Sequence, residues 1–253
     1  MEELNTWLAN KAKDILKEIK AKGYGNHYQK KFLEVPLSPI NPDLNKFSAP
    51  ASGTIYNVTE VLNPEDCVLK VKGRDFQFLD LLMGIPKECM IEFAQGANII
   101  QTFLCYLDVH TVKFPTSGII EYWRVPGIKT RNLSMLAFED EVLGGSVDPK
   151  HSDFLFVNER VICRIVSSTG FVYYLVLIAD REIDQIAIFE QFNPIHKKGS
   201  VLGSIRRGSE CIVIVPKAQP FCIKNIGAKK GFHVETGIDD LFDIEKIQPT
   251  KSK

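Results

Sequence analysis

The chain has 253 residues, 45% of them hydrophobic, and its 31 basic and 31 acidic side chains cancel to a formal net charge of zero. That apolar content suits one large domain or two small ones with a continuous core, and the balanced charge excludes the strong overall field of a nucleic-acid or anionic-membrane binder. The six cysteines form no CxxC pair and sit mostly in apolar runs, which argues against a disulfide framework or zinc site and for a reducing, cytoplasmic setting.

Met1-Glu2-Glu3-Leu4 lacks the basic-then-apolar layout of a signal peptide. Over residues 3–22, Leu4, Leu8, Ala12, Leu16 and Ile19 recur at helical spacing, which predicts an amphipathic helix that Gly23 and Gly25 stop. Its acids offset its lysines and Trp7 is its one aromatic, so docking on the protein's own core is favoured over a membrane surface. Pro36 to Pro50 holds four prolines and reads as an extended linker. Residues 1–44 are thus expected to form an N-terminal helix and linker.

Short apolar strands follow: Gly53 to Val61, Cys67 to Val71, Gly118 to Val125, Phe154 to Val157, Arg160 to Ser167, Phe171 to Ala179 and Glu210 to Val215. One helix interrupts them at Phe76 to Met83. Phe171 to Ala179 is the longest apolar run and falls far short of the roughly 20 residues of a membrane helix. No transmembrane segment is expected. Pro50-Ala51-Ser52-Gly53-Thr54-Ile55 and Pro115-Thr116-Ser117-Gly118-Ile119-Ile120 share the pattern P-x-S-G-x-I, predicting two tight turns with glycine at positive φ. The fold class is mainly β (α+β) with peripheral helices, in a β domain over 45–216 and a C-terminal extension over 217–253. His27, His151, His196 and His233 stand in loop-like sequence and read as surface residues.

Four segments carry the chemistry. Gln101 to His110 leads into Phe114-Pro115-Thr116-Ser117-Gly118; Lys72-Gly73-Arg74-Asp75-Phe76 precedes it; Val157-Asn158-Glu159-Arg160 and then Gly208-Ser209 follow. In this order they resemble the phosphatidylserine decarboxylase family, especially its soluble, amino-acid decarboxylase-like branch. The resemblance implies a barrel-sandwich-hybrid-like β domain and self-cleavage between Gly208 and Ser209. Ser209 then becomes a covalent pyruvoyl group, the cofactor, which forms a Schiff base with the substrate amine and accepts electrons as carbon dioxide leaves. The partners implied are an amino-acid or phospholipid-headgroup substrate and the chain's own other fragment in a heterodimer. A homo-oligomer and a peripheral membrane location stay open, and neither nucleic acid nor metal is expected.

Self-cleavage needs a serine hydroxyl that attacks the preceding carbonyl, a base beside it and donors for the developing oxyanion. The family draws these from an Asp-Tyr-His-Arg-x-His-type segment, onto which Asp108 and His110 map. Lys113 replaces the second histidine, Ser52 replaces an aspartate of the first P-x-x-G turn, and Arg207-Gly208-Ser209-Glu210 replaces a Leu-Gly-Ser-Thr-type signature. Two readings follow: a pyruvoyl-dependent carboxy-lyase of phospholipid or amino-acid metabolism, or an unprocessed, non-catalytic family member serving as a binding or assembly module.

Overall fold

The computed structural model describes the whole chain except residues 34, 36, 38, 127–132, 149–150, 182–185, 190–193, 207–208 and 249–253. In chain order the strands are β1 (Glu2–Glu3), β2 (Lys46–Ser48), β3 (Gly53–Val61), β4 (Cys67–Val71), β5 (Arg74–Gln77), β6 (Ala97–Leu104), β7 (Thr111–Lys113) and β8 (Gly118–Val125). They continue with β9 (Arg160–Ser167), β10 (Val172–Ala179), β11 (Ile186–Ile188), β12 (Val201–Ile205), β13 (Ser209–Pro216), β14 (Phe221–Lys224), β15 (Phe232–Val234) and β16 (Asp240–Lys246). The helices are α1 (Leu4–Trp7), α2 (Lys13–Lys22), α3 (Tyr24–Tyr28), α4 (Phe78–Leu81) and α5 (Leu136–Leu143).

An antiparallel sheet in the order β1-β15-β3-β6-β13-β10-β9-β8 forms the centre. Alternation along its strands sends side chains to two separate cores. Cys211, Val213 and Val215 face a core shared with the small sheets β11-β12-β7 and β14-β16-β2, through Leu202, Phe242 and their neighbours. Ile212 and Ile214 face a second core built with Leu4, Trp7, Phe78 and Phe138 of the helices. The sheet is therefore a sandwich on one face and helix-covered on the other, mainly β as expected. All eight residues of β13 are buried. No described helix is long and apolar enough to cross a membrane.

Several expectations are corrected. Gly23, at φ 85°, does end α2, but helix resumes at Tyr24 and runs through Gly25. A π-type turn at Leu8–Ala12 shifts the helical phase, so Leu16 is exposed while Leu4, Trp7 and Ala12 are buried. Asp153–Phe156 is a 3₁₀ turn instead of a strand, because adjacent Phe154 and Leu155 are both buried in the helix-side core. The two P-x-S-G-x-I glycines serve close approach. Gly53 does lie at positive φ, 156°, as expected, whereas Gly118 is not among the positive-φ glycines. A Cβ would come within 2.3 Å of the Phe103 carbonyl oxygen at Gly53 and of the Val166 carbonyl oxygen at Gly118. Beyond residue 216, β15 pairs with β3 inside the central sheet, and β16 pairs with β2.

Candidate active site

Ser209 opens β13, in register with Leu104 of β6 on one side and Ala179 of β10 on the other, and is fully buried. Its Oγ lies 3.1 Å from His110 Nδ1. His110 is also fully buried, with Nε2 3.0 Å from the Cys105 carbonyl oxygen. A carbonyl can only accept, so Nε2 carries the proton and Nδ1 presents its lone pair to the Ser209 hydroxyl. Burial drives the His110 pKa down to about 4, leaving the imidazole neutral at physiological pH. The ring stacks on Phe32 at 4.1 Å. Backbone bonds from His110 N–H to the Lys31 carbonyl (2.9 Å) and from Ile205 N–H to the His110 carbonyl (3.0 Å) fix the residue from both sides.

Asp108 stands one layer back. Its carboxylate accepts the Cys105 N–H at 2.9 Å, which holds the turn presenting that carbonyl to His110, and its other oxygen meets His233 Nε2 at 2.6 Å. Burial pushes the Asp108 pKa up, but His233 and the Cys105 donors outweigh this and hold it below the usual carboxylate value. His233, on β15, is 3% exposed and stacks on Trp7 at 3.8 Å. The structure thus brings Asp108, His110 and Ser209 into one cluster. Lys113 lies buried at the end of β7, the strand that leaves His110, and burial lowers its pKa. Ser52 is also buried, and its Oγ accepts the Thr236 N–H at 3.0 Å. Gly208, the expected other side of the scissile bond, lies outside the described residues, as does Arg207.

Three parts of the site escape sequence reading. His233, read as a surface histidine, is the buried partner of Asp108; His27 and His196, read likewise, are buried too. Phe32 lies past the expected helix stop. Glu210 follows Ser209 and so, by strand alternation, points to the opposite core. There it hydrogen-bonds Tyr56 and, at 2.9 Å, Gln101, and burial raises its pKa to about 7 against those bonds and nearby Arg160. Period-two alternation is the one sequence signal that could have separated Glu210 from the reacting face.

Comparison with known proteins finds phosphatidylserine decarboxylase proenzymes. The chain is 27% identical over 203 residues to a phosphatidylserine decarboxylase proenzyme of Glaesserella parasuis serovar 5, covering 71% of this chain and 62% of that protein. It is 26% identical over 211 residues to the protein of that name from Francisella philomiragia, covering 76% and 68%. A third such proenzyme, from Actinobacillus pleuropneumoniae serotype 3, is 26% identical over 203 residues, covering 71% and 62%. The chain therefore spans about three-fifths to two-thirds of the length of these relatives. The phosphatidylserine decarboxylase family profile matches residues 29–238, a span that takes in Phe32, Asp108, His110, Ser209 and His233, and by that match the chain belongs to the phosphatidylserine decarboxylase family.

Proposed function

We propose that the chain is a proenzyme that cuts its own backbone between Gly208 and Ser209, converts Ser209 to a pyruvoyl group and uses it to decarboxylate an amine-bearing carboxylic acid. The observation that carries this reading is the buried Ser209–His110 hydrogen bond, in which Nε2–H is committed to a carbonyl and Nδ1 is left as the base. That donor set fits a pyruvoyl precursor: a buried hydroxyl, an uncharged imidazole able to take its proton, and an interior strand to hold the new chain end.

His110 Nδ1 takes the hydroxyl proton as Oγ attacks the Gly208 carbonyl carbon. The C–O bond forms, the C–N bond breaks, and the Ser209 nitrogen leaves protonated, giving an ester. His110, neutral again once it has protonated that nitrogen, then accepts the Ser209 α-proton as the Cβ–Oγ bond breaks, expelling the Gly208 carboxylate and leaving dehydroalanine. One water converts it to the pyruvoyl group and releases ammonia. Asp108 orients the Cys105 turn that fixes the His110 tautomer, a positioning role. Lys113 stands where the family has its second histidine, and the cleavage rate of Lys113→Ala tests whether it shares this step. When formed, the pyruvoyl carbonyl supplies an electron sink for the charge left by departing carbon dioxide.

Intact-mass measurement of the purified protein tests the reading. It expects fragments of 1–208 and 209–253, the smaller one blocked at its N-terminus, and a full-length chain in Ser209→Ala. Only full-length wild-type protein after long incubation would favour a binding or assembly module. Fragments that persist in Ser209→Ala would point to proteolysis of an exposed loop.

A further inference from the structure

Beside the site lies a cavity of about 310 Å³ with Phe32, Tyr24 and Tyr106 as aromatic walls and Glu139 and Asp180 as its polar groups. It adjoins the reacting groups through Phe32. Phe32 is at once a wall of the cavity and the ring stacked on His110. Asp180 directly follows Ala179, the residue paired with Ser209, and turns to the helix side of the sheet, where it bonds Met135.

Both carboxylates keep one oxygen in reserve. Glu139 is only 8% exposed and lines the cavity; its Oε1 accepts the Tyr106 N–H at 2.6 Å, and its Oε2 has no hydrogen-bond partner among the described residues. Asp180 accepts the Met135 N–H at 2.8 Å through Oδ1, and its Oδ2 has no partner among the described residues. Burial raises the Glu139 pKa to about 7 against the Tyr106 N–H, and the charges that bear on it, Asp108, Asp180 and Asp140, are all carboxylates and push the same way. Lys31, on the turn that carries Phe32, is coupled to Asp108 and Glu235 instead.

Carboxylate oxygens without donors and aromatic faces together are the chemistry that recognises a cation. The same field repels a phosphate. We propose that this cavity receives the positively charged far end of the substrate, which makes the substrate a free amino acid with a second cationic group, an ammonium or guanidinium, in preference to a phosphodiester-bearing headgroup. The inference rests on the decarboxylase reading for its use of residue 209, and it names the substrate class of that site.

Binding to uncleaved Ser209→Ala protein tests it without requiring processing. NMR titration would compare L-lysine and L-arginine with L-norleucine, which has lysine's apolar stem without its charge, and with O-phospho-L-serine. The expected order places lysine or arginine at least about tenfold tighter than norleucine, with phosphoserine weakest. Glu139→Gln and Asp180→Asn keep the acceptors for Tyr106 and Met135 but remove the charge. Each should weaken the cationic ligand about tenfold to a hundredfold and leave norleucine unchanged. Norleucine or phosphoserine binding as tightly as lysine, indifference to both substitutions, or no binding of any probe would overturn the inference. Such a result in a protein that still cleaves itself refutes the cation site alone. Lysine binding by a wild-type chain that never cleaves supports the cation site and refutes the decarboxylase reading.

Discussion

Self-cleavage should run as fast at pH 5.5 as at pH 7.5, because the base is buried. Burial carries the His110 pKa from its ordinary 6.5 to about 4. At pH 5.5 a group of pKa about 4 is roughly 97% neutral, whereas an ordinary histidine is only about 9% neutral. The two cases differ about tenfold in active base. Precursor made by cell-free synthesis, moved into buffers across this range and followed by intact mass, gives the rate directly. Phe32→Ala supplies the internal control, since loss of the stacked ring lets water reach the imidazole and returns its pKa toward 6.5. That variant should cleave several-fold more slowly at pH 5.5 than at pH 7.5. Stability has to be followed alongside. The folded pKa lies below the unfolded one, so stability is full above about pH 6.5 and lost as pH falls toward 4, by about 1 kcal/mol at pH 5.5 and about 3 kcal/mol in all. A tenfold loss of wild-type rate at pH 5.5 in protein still folded by circular dichroism, or an undiminished rate in His110→Ala, would refute the assignment of His110 as base.

Glu210 carries the opposite sign. Its folded pKa of about 7 exceeds the unfolded 4.5, so its contribution is full below pH 4.5 and about 3 kcal/mol is lost as pH rises through 7. Glu210→Gln in the Ser209→Ala background should therefore gain up to about 3 kcal/mol relative to its parent between pH 4.5 and 8 in urea unfolding; an equal difference at both ends contradicts the burial argument. His233→Ala leaves Asp108 buried without its partner, which costs roughly 3–5 kcal/mol and should slow cleavage, while His233→Gln keeps a donor and recovers part of both. Equal behaviour of the alanine and glutamine variants would remove His233 from the site.

The parts of this molecule that sequence reveals are those decided locally. Gly53–Val61, Gly118–Val125 and Arg160–Ser167 are strands in the structure as in the sequence, since β-branched and aromatic residues fill them and turn residues bound them. Asp108, His110 and Ser209 were found through motif order, and the contact that joins His110 to Ser209 spans 99 residues of chain. His233 has no such motif. It meets Asp108 only because the sheet order inserts β15 between β1 and β3, a pairing that no local pattern encodes. The same holds for Gly53 and Gly118, whose reason is a neighbouring strand's carbonyl. Leu16 was misplaced because a single π-type turn displaced the phase of an otherwise regular stripe.

The topology also constrains what a cut at residue 208 could release. Residues 209–253 supply β13, paired along its whole length with β6 and through six residues with β10, and also β15 in the central sheet and β16 beside β2. The new chain end would thus lie in the interior of a sheet, anchored at three places. Burial of Ile212, Val213, Ile214 and Val215 alone stabilises the assembly by roughly 1.5–3 kcal/mol per side chain, an upper estimate because unfolded chains are themselves partly collapsed. Their sum, roughly 6–12 kcal/mol, offsets the cost of holding two separate chains together before β15 and β16 are counted. The two fragments should therefore elute together in native gel filtration and part only in denaturant. Co-expression of 1–208 with 209–253 as separate chains should yield the same complex, whatever the wild-type chain does by itself. Fragments that elute apart under native conditions would show that β13 is held by the peptide bond before it and not by the sheet, and a pyruvoyl end could not then stay beside His110.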